Sequence, residues 1–248
     1  MRSLLALLKL TRCCLHLLHG MWTILTKFSK ATHEQRSQHV ADWSKRFLEL
    51  LGVAVRIQGQ PLQKGPLMAV INHVSWLDIL VMLAAQPVCF VSKSEVRHWP
   101  VIGWLATNVG TLYIERASRR DALRVVHQVA ENLKAGQLIG IFPEGTTSDG
   151  KSLLPFHANL LQAAIASSSP VQPVALRFLE ANGELSMSPV YIDDDTLLSS
   201  VWRMLRADPV TASLDFLPSM PTDGLDRRAL AAQLQTLIYE RLNSCEIM

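Results

Sequence analysis

Asn72-His73-Val74-Ser75-Trp76-Leu77-Asp78 is the stretch on which the reading of this chain turns. Residues 66–71 precede it with the aliphatic composition of a strand, and residues 79–85 follow as a run that suits a buried helix. A histidine is thus delivered at a strand end, with an aspartate about one helical turn beyond. The five-residue offset lets the carboxylate fold back and accept a hydrogen bond from one ring nitrogen. That sets the tautomer and leaves the other nitrogen as a proton acceptor. Such a pair suits taking the proton from a hydroxyl that attacks an activated carbonyl. The same spacing also serves a histidine held for structure alone, and this stretch by itself leaves both readings open.

Composition narrows the choice. A chain of 248 residues makes one large domain, or a domain with a short appendage, with enough length for a full core. Hydrophobic residues reach 49%, charged residues only 18%, and the net charge is +3. A nucleic-acid binder needs a denser basic stripe, so that class is set aside, while contact with lipid is compatible. Cys13, Cys14, Cys89 and Cys245 have neither metal spacing nor a disulfide pattern, which fits a reducing, cytoplasmic setting. His98, His127 and His157 bear no metal-site spacing to His73, so no metal is expected.

Residues 1–30 are the least soluble-looking part. Leucines, Met21, Trp22 and Ile24 are interrupted by Lys9, Arg12, His16 and His19. No unbroken run approaches the ~20 apolar residues of a spanning helix, and no cleavage site of a signal peptide is evident. Basic residues among leucines, with a tryptophan near one end, fit a helix lying in the membrane interface. A second helix is expected over residues 32–51, with Gly52 as its stop. Residues 1–51 therefore read as an amphipathic, membrane-associated helix pair appended to a main domain of residues 52–248.

From Val53 onward short Val-, Ile- and Phe-rich runs alternate with helical patterns. Strands are expected over 53–58, 66–71, 88–92, 111–114, 138–142, 171–178 and 210–217. Helices fall between them at 77–85, 100–107, 118–135, 157–166 and 197–205, with a last one over 225–242. This alternation predicts an α/β fold with a mixed, largely parallel central sheet flanked by helices. Sites in such sheets gather at the C-terminal strand ends, where His73, Arg116 and the loop opened by Pro143 all fall.

Two further stretches carry chemistry. Gly110 to Arg116 is a strand ending in a guanidinium suited to a phosphate or carboxylate, or else to pairing with Glu115 or Asp121. Phe142-Pro143-Glu144-Gly145-Thr146-Thr147-Ser148 breaks a strand into a polar turn whose amides and hydroxyls suit an anion, with Glu144 suited to bind a polyol hydroxyl or to orient a basic group. Lys93, just past another strand, is an additional cation for a phosphate. Gly145 to Ser152 also satisfies the Walker A spacing, but it starts late after its strand and Pro155 interrupts the helix that Lys151 would open. Nucleotide binding is kept only as a minority alternative, beside a non-catalytic lipid-binding module.

Taken in order, Asn72-His73-x-Ser75-x-x-Asp78, Gly110 to Arg116, Phe142-Pro143-Glu144-Gly145-Thr146 and Val171-Gln172-Pro173-Val174 resemble the four blocks of the glycerolipid acyltransferases. Among these, the chain is most similar to bacterial 1-acyl-glycerol-3-phosphate acyltransferases, over residues 53–179. The resemblance implies transfer of an acyl chain from acyl-CoA or acyl carrier protein to the free hydroxyl of a lysophospholipid, with no cofactor. It implies His73 as general base and Asp78 as its orienting partner. Arg116, Glu144, Gly145 and Thr146 would bind the acceptor's headgroup, with Lys93 as a helper. Backbone donors near the histidine loop would stabilise the oxyanion. The enzyme would be monotopic on the cytoplasmic side of the inner membrane. Two departures bear on the acceptor: Thr147 stands where many members carry arginine, and Phe156-His157-Ala158-Asn159 where phenylalanine, lysine and glycine are frequent. Fewer cations leave lyso-ornithine lipid as an alternative to 1-acyl-glycerol-3-phosphate.

Overall fold

The strand that feeds the histidine, β2 (Leu67–Ile71), is buried at every residue. Five consecutive aliphatic side chains can all be sheltered only if both faces of the sheet are covered. The computed structural model describes residues 2–62, 64–115, 117–192 and 194–244. They form one seven-stranded sheet in the order β1-β7-β6-β2-β5-β3-β4. The other strands are β1 (Val53–Gly59), β3 (Cys89–Lys93), β4 (Leu112–Ile114), β5 (Leu138–Ile141), β6 (Val171–Leu179) and β7 (Val210–Phe216). Every neighbouring pair is parallel except β6 with β7. The expected mixed, largely parallel sheet is what the chain builds.

Ala69 and Ile71 of β2 point into one layer, Met68 and Val70 into the other. The first layer holds α1 (Arg2–Thr23), α2 (His33–Leu51), α3 (Leu77–Ala85) and α7 (Leu197–Arg206). The second holds α5 (Arg119–Lys134), α6 (Leu161–Ala166) and α8 (Arg227–Asn243), while α4 (Ile102–Asn108) sits between β3 and β4 in sequence. Local chemistry sets the ends. Thr32 caps α2 in a capping box with Gln35, and Gly52, at φ 82°, closes it in the left-handed region.

The N-terminal helices share the core of the sheet. Ala6 and Cys13 of α1 are buried in the same cluster as Phe47, Leu48 and Leu51 of α2 and Val81 of α3. Gly20 completes the spacing of seven, because a Cβ there would meet the Trp43 indole at 2.6 Å. The His16 and Trp43 rings stack at 5.0 Å, and each side chain hydrogen-bonds the other residue's carbonyl, His16 at 2.9 Å and Trp43 at 3.0 Å. The opposite face carries Leu4, Leu8, Leu15, Leu18, Trp22 and Leu25, each more than half exposed. With its π-helical continuation Ile24–Phe28, this helix is long and apolar enough over Ser3–Phe28 to cross a membrane. The sequence expectation of no spanning-length segment counted unbroken apolar runs. A helix tolerates Lys9 and Arg12 within a 26-residue span whose average is still apolar.

One other expectation changes. The helix expected over 157–166 begins only at Leu161. The main-chain N–H of His157 donates to Pro143 O at 2.8 Å and that of Phe156 to the Gln235 side chain at 3.2 Å, so this segment runs alongside the site. No helix opens at Lys151, whose N–H instead bonds the Asp149 carboxylate at 3.0 Å. A Walker A lysine needs a helix to start at it, so the nucleotide-binding reading falls.

Beyond the last residue of β2, Asn72 continues the pairing with its side chain. Its Nδ2 donates to Leu176 O at 3.0 Å, and Oδ1 accepts from Leu176 N at 2.7 Å. Replacing it by alanine leaves two buried main-chain groups of β6 unpaired. Asn72→Ala should therefore lower the unfolding free energy by about 2–4 kcal/mol, measured by urea denaturation in detergent.

Candidate active site

Because β2, β3, β4 and β5 are parallel, their C-terminal ends open on one edge of the sheet. His73 follows β2, Lys93 ends β3, and the loop from Pro143 follows β5. Arg116, expected at the end of β4, lies outside the described residues.

The histidine loop is folded by one carboxylate. Asp78 sits in the first turn of α3, where helix N–H groups favour a negative charge. Its Oδ2 accepts from the main-chain N–H of Val74 at 2.6 Å and of Ser75 at 2.9 Å. The same oxygen lies 2.7 Å from His73 Nδ1, which donates to it and so leaves Nε2 as the basic nitrogen. Asp78 is fully buried, and its Oδ1 has no partner among the described residues. The His73 side chain is 18% exposed, enough for one ring edge to meet a substrate. Its flat face rests on Phe142, with centroids 3.9 Å apart and planes 13° from parallel, and Phe142 in turn stacks on Phe90.

The second loop grips the same residue from behind. Gly145 turns at φ 74° and its N–H reaches Phe142 O at 3.1 Å. This folds Glu144 under the histidine, with Oε1 accepting from His73 N at 2.6 Å and Oε2 from Leu154 N at 2.8 Å. Burial raises the Glu144 pKa, and the N–H donors of Leu154 and His73 counter part of that rise. Ser148 donates to His73 O from its main chain at 2.8 Å and its hydroxyl at 3.2 Å. The Thr147 hydroxyl donates to Tyr191 O, and Tyr191 N–H returns to Val74 O at 3.1 Å.

The structure thus joins His73 to Asp78 through the ring and to Glu144 through the backbone. Thr146 and Lys93 present exposed side chains on the same edge. The nearest amides of the histidine loop are already engaged, those of Val74 and Ser75 by Asp78 and that of His73 by Glu144. These three amides are therefore not free to act as donors to a substrate. Phe142 and Ser148 were within quoted stretches, yet no spacing rule signals a ring stacked on an imidazole or a serine holding its carbonyl.

Comparison with known proteins places the chain in a family. A family model described as Acyltransferase matches residues 54–177. Lyso-ornithine lipid O-acyltransferase of Pseudomonas aeruginosa is 40% identical over 196 residues, covering 79% of this chain and 75% of that protein. The 1-acyl-sn-glycerol-3-phosphate acyltransferase of Neisseria meningitidis serogroup B is 36% identical over 208 residues, covering 83% of this chain and 81% of its own. The crystal structure of the 1-acyl-sn-glycerophosphate acyltransferase PlsC from Thermotoga maritima superposes with a TM-score of 0.74, covering 100% of this chain and 99% of that one. At 20% identity that likeness speaks for the fold. The matched region runs from β1 into β6 and takes in both loops that hold His73, and by that match and these relatives the chain belongs to the Acyltransferase family.

Proposed function

We propose that this enzyme transfers a fatty acyl chain from acyl-CoA or acyl carrier protein to the free hydroxyl of a lysophospholipid, with 1-acyl-glycerol-3-phosphate as acceptor and phosphatidic acid as product. The observation that carries the reading is the His73–Asp78 pair, with Nδ1 bound to the carboxylate and Nε2 left as base. The lipid hydroxyl gives its proton to Nε2 as its oxygen attacks the thioester carbonyl. Asp78 stabilises the imidazolium so formed. The tetrahedral intermediate then expels the thiolate, which takes the proton back from His73 and leaves as thiol. An O–C bond replaces a C–S bond, no cofactor is consumed, and no covalent enzyme intermediate is needed. Lys93, Gly145 and Thr146 form the headgroup side of the site, and the resemblance assigns Arg116 the same role.

A second acceptor, a lyso-ornithine lipid, is supported by Thr147. Threonine is uncharged and its hydroxyl is tied to Tyr191 O, so this position adds no cation for a phosphomonoester. An acceptor panel with acyl-CoA and acyl carrier protein as donors separates the two. Fastest turnover with 1-acyl-glycerol-3-phosphate supports the first reading. Turnover confined to lyso-ornithine lipid replaces it with the second.

The outward face of α1 supports seating in a membrane, and our reading puts the rest of the chain on the cytoplasmic side of the inner membrane. Leu8→Gln/Leu15→Gln/Trp22→Gln leaves the face packed on α2 intact. It should weaken partitioning onto phospholipid vesicles roughly 10- to 100-fold. Equal partitioning of parent and variant would remove α1 as the anchor. His73→Ala should reduce turnover about 100- to 10,000-fold while the unfolding transition is retained. Turnover close to that of the parent would dismiss His73 as the base.

A further inference from the structure

Glu144 is buried to 3% exposure at the foot of the site, so its two carboxylate oxygens have almost no surface open to a substrate. Both are spent on main-chain donors from different segments, His73 N at 2.6 Å and Leu154 N at 2.8 Å. We propose that Glu144 is a positioning residue for His73 and does not hold the acceptor's headgroup. The inference rests on the acyl-transfer reading and assigns the second loop a part within it.

The geometry supports this from four sides. The His73 N–H is held by Glu144, its C=O by Ser148, its Nδ1 by Asp78, and its ring face by Phe142. With all four fixed, the direction of Nε2 is set before substrate arrives. Proton transfer is sensitive to that direction, since a displacement of about 1 Å costs on the order of 100-fold in rate. A carboxylate suits the task better than an amide. It offers two acceptor oxygens to two segments, whereas glutamine offers one oxygen and turns an N–H₂ toward the other donor. A buried negative charge would also repel an incoming phosphate. Burial penalises the charged form of Glu144, a cost in stability borne next to the reactive ring.

The test compares kinetic constants of the full chain in detergent-lipid micelles. Glu144→Gln should lower kcat about 10- to 100-fold, with KM for the lysolipid acceptor changed less than about twofold. A raised acceptor KM with kcat preserved would make Glu144 a headgroup ligand and overturn the proposal, as would two unchanged constants. In a His73→Ala background, Glu144→Gln should alter the residual rate less than about twofold. A further drop of about tenfold there would mean that Glu144 acts apart from His73, against the proposal. If Glu144→Gln does not fold, Glu144→Asp retains the charge but is one methylene too short to reach both donors, and the same split of kcat from KM decides. Full activity in His73→Ala alone would refute the general-base reading. A dead His73→Ala with normal turnover in Glu144→Gln would refute only this inference.

Discussion

Three N–H donors converge on a single oxygen, Asp78 Oδ2, and the site is organised by that convergence. Two donors belong to the main chain of the turn between β2 and α3, so the turn's shape is set by the acid that also orients the imidazole. A charge-assisted hydrogen bond is stronger than a neutral one, and burial strengthens it further. Folding of the loop and orientation of the imidazole are therefore one event. An asparagine at 78 would still offer an oxygen to the turn but would lack the charge that supports a protonated ring.

The sheet supplies the frame for that event. β2 lies near the centre with β6 and β5 on its two sides, and Asn72 fastens its exit to β6 through Leu176. The loop leaving β5 then meets the loop leaving β2 because the two strands are parallel neighbours. His73 and Glu144 stand 71 residues apart in sequence and 2.6 Å apart in space for this reason. Neither loop holds its shape alone: the first lacks a partner for its N–H, the second lacks an occupant for its buried carboxylate.

Much of this was legible in the residues. The helix at 77–85 has the bounds its apolar run indicates, and the strands fall within a residue or two of their aliphatic runs. Gly52 and Thr32 mark the ends of α2 by chemistry that acts within a few residues. The pairing of His73 with Asp78 was also readable, because a short offset limits where the carboxylate can go. Features that depend on distant partners were not. The segment before α6 looks helical by composition but is drawn out by Pro143 O and Gln235. Glu144 reads as a ligand for the acceptor's headgroup until β5 is placed beside β2. The boundary at residue 51 marks a change of secondary structure, while the hydrophobic core continues across it from Ala6 and Leu48 to Val81.

That continuity has a mechanical outcome. The side of α1 bearing Ala6, Cys13 and Gly20 is keyed into the same packed layer as α3, the helix that carries Asp78. Packed cores transmit displacement with little compliance. A bilayer gripping the leucine side of α1 would thus fix the tilt and height of the imidazole relative to the lipid surface. A thinner or thicker membrane would then change that height directly, because α1 and α3 share one packed layer.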